Sequence, residues 1–138
     1  MAYTLCIGME DFMVLAKQPK KRVVDRLMNK SVCLFNGCKA LKKPIVTESP
    51  LERDFCYHLE FDNFVSQYEP QPLGIIYWEP KSQKECQYTP DFKVHYVDGS
   101  IKYYEIKYRR DVNRSPNFSY TFELAKKEYL SQNSDLIL

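Results

Sequence analysis

The hydrophobic positions of this chain change period several times, and each change predicts an element. Between residues 20 and 29, Val23, Val24, Leu27 and Met28 recur at helical spacing and predict a short amphipathic helix, followed by an irregular stretch to about Thr47. The next helix has its start signals written out. Ser49 suits the N-cap, Pro50 the first helical position and Glu52 the reciprocal position of a capping box, while Leu51, Phe55 and Leu59 share one face. It should end near Asp62-Asn63. Leu73 to Trp78 reads as a buried strand, and a charged loop containing Pro80 follows. Phe92, Val94 and Tyr96 then alternate toward Asp98-Gly99, a hairpin signal, with residues 101–106 as the returning strand. A loop with Pro116 leads to a second helix whose stripe is Phe122, Ala125, Tyr129 and Leu130, and Asp135 to Leu138 begins another strand. The order helix, strand, hairpin, helix, strand predicts an α/β fold, a mixed β-sheet flanked by α-helices.

Composition narrows the class. A chain of 138 residues, 44% hydrophobic and 14% aromatic with four glycines, is expected to fold as one domain over 1–138. Within it a basic N-terminal segment of about 1–47 precedes a core of about 48–138. Five cysteines without a Cys-x-x-Cys pair, and two histidines, point to reduced, packed thiols rather than structural zinc. The first residues lack a basic leader and run into Glu10-Asp11, so a cytoplasmic protein without a membrane span is expected.

A net charge of +2 conceals strong segregation. Residues 11 to 43 hold nine Lys and Arg against Asp11 and Asp25, whereas residues 44 to 92 hold nine Asp and Glu against Arg53, Lys81 and Lys84. A basic rim around an acidic centre suits a metal site that must still attract a polyanion, although most such lysines in proteins simply face solvent.

The chemistry concentrates in Tyr88-Thr89-Pro90-Asp91-Phe92 and Tyr104-Glu105-Ile106-Lys107. Carboxylates gathered at a sheet edge can hold Mg²⁺ on a phosphate, and a nearby lysine can meet developing negative charge. On a strand, Glu105 and Lys107 would share a face while Ile106 points inward. Taken alone, Glu-x-Lys is more often a solvated face. Pro90 cannot donate to a ladder, so Asp91 stands at a strand start where an acid can turn to a ligand or merely shape a turn.

Register makes a sharper demand. A perfect two-residue turn at Asp98-Gly99 would set Asp91 opposite Ile106, facing away from Glu105. A three-residue loop or a bulge near Gly99 restores the pairing, and that offset, or a strong twist at Asp91, is predicted. Glu52 is either a capping-box residue, a third site carboxylate, or both, because a helix N-terminus and a cation each favour its charge. Gln71, between Pro70 and Pro72, either contacts a ligand or shapes its loop. Lys42, Lys43, Arg109, Arg110 and Arg114 are the candidate phosphate contacts of a DNA-binding surface.

Taken together, Ser49 to Phe55, Leu59 to Asp62, Val65 to Pro72, Tyr88 to Phe92 and Glu105 to Lys107 resemble the TnsA endonuclease subunit of heteromeric transposases, over roughly residues 20 to 138. The resemblance implies the PD-(D/E)XK, restriction-endonuclease-like fold. It implies Glu52, Asp91 and Glu105 as ligands of Mg²⁺ or Mn²⁺, the Ile106 carbonyl as a further ligand, and Lys107 as the catalytic lysine. The implied activity is hydrolysis of double-stranded DNA at the 5′ ends of a transposon. A DDE-type transposase subunit would act on the 3′ ends, an ATPase regulator would complete the assembly, and the protein would be nucleoid-associated in a bacterium. Family members usually continue into a helical domain that contacts these partners, whereas this sequence stops at Leu138. Two alternatives stand beside this reading: another restriction, repair or phage-processing nuclease on the same fold, and a non-catalytic module that docks DNA or a transposase.

Overall fold

The computed structural model describes residues 32–138. The helix expected over residues 20–29 lies outside the described residues. Two short strands, β1 (Cys33–Phe35) and β2 (Ile45–Thr47), pair antiparallel where an irregular stretch was expected. Three residues are too few for period-two patterning to stand out.

Helix α1 (Pro50–Phe61) starts and stops where its signals place it, with Ser49 as N-cap and Asp62 as C-cap. The Ser49 hydroxyl accepts from Glu52 N at 3.2 Å and donates to Glu52 Oε1 at 3.0 Å. Cys56 and Leu59 are its fully buried residues, with Phe55 packed beside them.

The central sheet has strand order β3-β6-β7-β8 and is mixed. It comprises β3 (Val65–Pro70), β6 (Phe92–Tyr96), β7 (Ile101–Tyr104) and β8 (Asp135–Ile137), with β7 and β8 parallel and the other pairs antiparallel. A separate hairpin joins β4 (Ile75–Glu79) to β5 (Lys84–Tyr88). The strand expected from Leu73 begins at Ile75, leaving Leu73 exposed ahead of it, and Trp78 is largely exposed because a two-stranded ribbon covers only one face. After β7 comes α2 (Arg109–Arg114), a helical turn where a loop was expected, and then α3 (Pro116–Ser131). Phe122, Ala125 and Tyr129 are buried along α3 as expected. Leu130 faces solvent instead.

Adjacent residues of β7 pack to opposite sides of the sheet. Tyr104 meets Phe55 of α1 at a centroid distance of 5.2 Å, and Tyr103 meets Tyr129 of α3 at 4.6 Å. One core holds Tyr68, Phe92 and Val94 under α1 and the β1–β2 pair; the other holds Tyr77, Tyr88 and Leu136 under α3. The sheet is therefore covered on both faces, the α/β arrangement predicted from the pattern of elements. No helix among the described residues is long and apolar enough to cross a membrane.

Candidate functional site

Asp91 occupies the point where three strands meet. Its backbone N–H donates to Tyr104 O at 2.9 Å, and its carbonyl accepts from Gln71 N at 2.7 Å. The side chain is buried, and Oδ2 accepts from Ile106 N at 2.8 Å, so a carboxylate stands where a neighbouring strand would supply a carbonyl. Pro90 explains the arrangement, since its missing N–H ends the backbone ladder just upstream.

The hairpin delivers the predicted offset. Tyr96 N donates to Ser100 O at 2.9 Å across a three-residue loop, Val97-Asp98-Gly99, with Gly99 at φ 86° and Asp98 Oδ1 accepting from Ser100 N. This is a turn that needs a left-handed residue at its last position. Phe92 consequently pairs with Tyr104, where the regular register ends, and Asp91 N turns to Tyr104 O instead of continuing the ladder to Glu105.

The strand itself ends sooner than expected. β7 stops at Tyr104, so Glu105, Ile106 and Lys107 lie beyond regular pairing. Glu105 N still donates to Ile137 O at 2.8 Å, but β8 pairs only as far as Ile137 and Pro90 blocks extension on the other side. Ile106 packs against the α1 core, as its inward expectation required. Lys107 does not share a strand face with Glu105: it is exposed, with Nζ 4.2 Å above the Phe118 ring of α3.

Glu52, partly buried in the first turn of α1, accepts from Ser49 Oγ through Oε1 and from Glu48 N at 2.9 Å through Oε2. Burial raises its pKa above the ordinary carboxylate value, and the charges of Asp91 and Glu48 add to that rise against the hydrogen bonds that lower it. Glu52 and Asp91 are thus close enough to repel. Glu105 lies beside the Tyr88 hydroxyl, whose pKa burial pushes upward, with the Glu105 carboxylate reinforcing the shift.

Gln71 is buried, holds a positive φ of 45°, and donates through Nε2 to Glu48 Oε1 at 3.1 Å. Glu48 was not singled out in the sequence, and Tyr88 entered only as the first residue of the run around Asp91. Glu48 looks like an ordinary acid ahead of a helix cap, and Tyr88 like a strand aromatic. Residues 105–107 also line a cavity of about 230 Å³ with Leu51, Asp54, Phe55, His58 and Leu138. A larger cavity, about 550 Å³ between α3 and β8, contains none of the candidate residues.

Arg109, Arg110 and Arg114 project from α2 and are exposed, as are Lys42 and Lys43 in the loop between β1 and β2. Lys43 Nζ donates to Cys38 O at 3.3 Å.

Among the described residues, no three His, Cys, Asp or Glu side chains stand assembled around a common metal position. The donor chemistry nevertheless suits a hard divalent cation. Glu52 of α1 and Asp91 at the start of β6 offer oxygen donors, and the Asp91 charge adds to the rise of the Glu52 pKa.

A family model described as TnsA-like endonuclease N terminal matches residues 62–135, just over half of the chain. The match takes in Gln71, Asp91, Glu105 and Lys107 and begins after Glu52. The mixed, helix-flanked sheet is consistent with a restriction-endonuclease-like fold. No curated protein matches the chain.

Proposed function

Because the chain belongs to the TnsA-like endonuclease N-terminal family, we propose that it is a Mg²⁺-dependent DNA endonuclease that hydrolyses phosphodiester bonds at the 5′ ends of a transposon. Nuclease chemistry is the general function that the family supports. The metal, the substrate end and the partners, a DDE-type transposase subunit and an ATPase regulator, are the proposed detail.

One observation carries the reading: the buried Asp91 carboxylate, fixed where β3, β6 and β7 meet, lies within charge range of Glu52 at the N-terminus of α1. Two acids held this way by separate elements resist solvation and favour a shared cation. Glu52, Asp91 and Glu105 would hold Mg²⁺, with Mn²⁺ able to substitute, and the Ile106 carbonyl would add a ligand. When bound, such a metal would make its water ligand more acidic than bulk water and offset charge on the phosphate.

The protein's own groups do the remaining work. The Ile106 amide holds Asp91 in one orientation, while Ser49 and the Glu48 amide hold Glu52. Lys107 supplies an ammonium from an exposed position two residues after Glu105. The α2 arginines that follow it present cations to the DNA backbone.

The test is nicking of a supercoiled plasmid in Mg²⁺. Asp91→Ala should lower the rate by about two orders of magnitude or more, since even groups that only support a metal ligand typically contribute 10- to 100-fold. Unchanged cutting by that variant would refute the site. A docking module without catalysis draws on Lys107 lying over Phe118 and on the unassembled acids. For that reading to hold, the wild-type protein must bind DNA yet fail to nick it.

A further inference from the structure

Gln71 carries more structural cost than a loop residue requires. It is a non-glycine residue at φ 45°, 6% exposed, and flanked by Pro70 and Pro72. A side chain held in the left-handed region persists only when its surroundings over-determine it. Here they do so from both ends. Its backbone N–H donates to the Asp91 carbonyl at 2.7 Å, its amide Nε2 donates to Glu48 Oε1 at 3.1 Å, and Glu48 N donates to Glu52 Oε2 at 2.9 Å.

We propose that Gln71 and Glu48 are positioning residues, a hydrogen-bonded relay that locks the Glu52 carboxylate of α1 to the Asp91 backbone before any metal arrives. This inference rests on the endonuclease reading and deepens it.

The geometry assigns each member a distinct part. Gln71 faces Glu48 through its amide donor, so at this contact Glu48 acts as a hydrogen-bond acceptor. A glutamine at position 48 still offers a carbonyl oxygen to that donor and leaves the backbone N–H to Glu52 untouched. Removing the acceptor instead leaves a buried amide unsatisfied, and frees the segment that aims Glu52. The sequence spreads the relay over Glu48, Glu52, Gln71 and Asp91, so only the tertiary fold reveals it.

The experiment compares Glu48→Gln, Glu48→Ala and Gln71→Asn. Asparagine tolerates positive φ and keeps an amide, but is one methylene too short to reach Glu48. The readouts are Mn²⁺ affinity by calorimetry and the kcat and KM of plasmid nicking, with circular dichroism to confirm folding. Glu48→Gln should bind Mn²⁺ and cut within about twofold of wild type, because the conservative variant rescues the hydrogen bond.

Glu48→Ala and Gln71→Asn should weaken Mn²⁺ binding by about 10- to 100-fold, the usual range for groups that orient metal ligands, and lower kcat with KM for DNA unchanged. Equal losses in Glu48→Gln and Glu48→Ala overturn the relay, because the charge itself would then be required. Unaltered affinity in Gln71→Asn overturns it as well. A wild-type protein that neither binds Mn²⁺ nor nicks DNA removes the endonuclease reading itself, an outcome separate from failure of the relay. Should Glu48→Ala fail to fold, Gln71→Asn against Glu48→Gln decides alone.

Discussion

At the scale of single residues, the carboxylates differ in how much their neighbours reveal. Asp91 was legible because proline precedes it, and a proline that ends a ladder leaves an acid at a sheet edge. Glu48 was not, since its role depends on Gln71, which is 23 positions away. Glu79 offers a clean electrostatic test away from the site. It accepts from Lys81 N and Ser82 N, and from the hydroxyls of Ser82 and Tyr120, tying the β4–β5 turn to α3. Led by the Ser82 hydrogen bond, these donors hold its pKa at about 2. A depressed carboxylate stabilises the fold above its ordinary pKa of 4.5, and that contribution fades as pH falls toward about 2. The amide signals of Lys81 and Ser82, followed by NMR, should therefore titrate near pH 2. A midpoint near 4.5 would show that the turn is not held this way. Burial pushes the Cys56 thiol up to about 12, so it should stay unreactive toward alkylating reagents in the folded protein.

Elements were legible where their signals are local. The α1 start signals span four residues and can be read without the rest of the chain, although the Glu52 carboxylate takes Ser49 Oγ and Glu48 N where a full capping box would take Ser49 N. β3 escaped because a register shift between Val65 and Gln67 breaks its alternation, so Val65 and Tyr68 fall out of step. β5 escaped because Lys84-Glu85-Cys86-Gln87 carries little apolar content and leans on β4 alone. The β6–β7 loop ties local turn chemistry to the site, since its three residues set Phe92 opposite Tyr104 and so bring Asp91 N to Tyr104 O. Gly99 has open space around it, yet its φ of 86° penalises any side chain. Gly99→Ala should thus destabilise the protein by about 1–2 kcal/mol through backbone strain, without steric clash. Urea denaturation measures this, and a neutral effect would mean that the turn relaxes to another type.

At the scale of the whole molecule, the charge segregation makes a prediction about DNA. The α2 arginines come soon after Lys107 and are exposed, so under the proposed nuclease function they are the candidates to meet phosphates. Each phosphate contact contributes about 0.9 to the slope of log affinity against log salt. Replacing Arg110 and Arg114 together by alanine should therefore reduce that slope by about 2, and an unchanged slope would remove α2 from the DNA surface.

The sequence by itself determined the start and stop of α1, the β6–β7 hairpin and the buried stripe Phe122, Ala125 and Tyr129 of α3. All of these depend on residues within a few positions of one another, where sterics and hydrogen bonding act directly on the local chain. Only the tertiary structure decided that β7 ends at Tyr104, that Lys107 lies over Phe118, and that Gln71 joins Glu48 to Asp91. Those outcomes depend on which partner strand runs out first and which side chains meet across the sheet, distances that no spacing along the chain encodes.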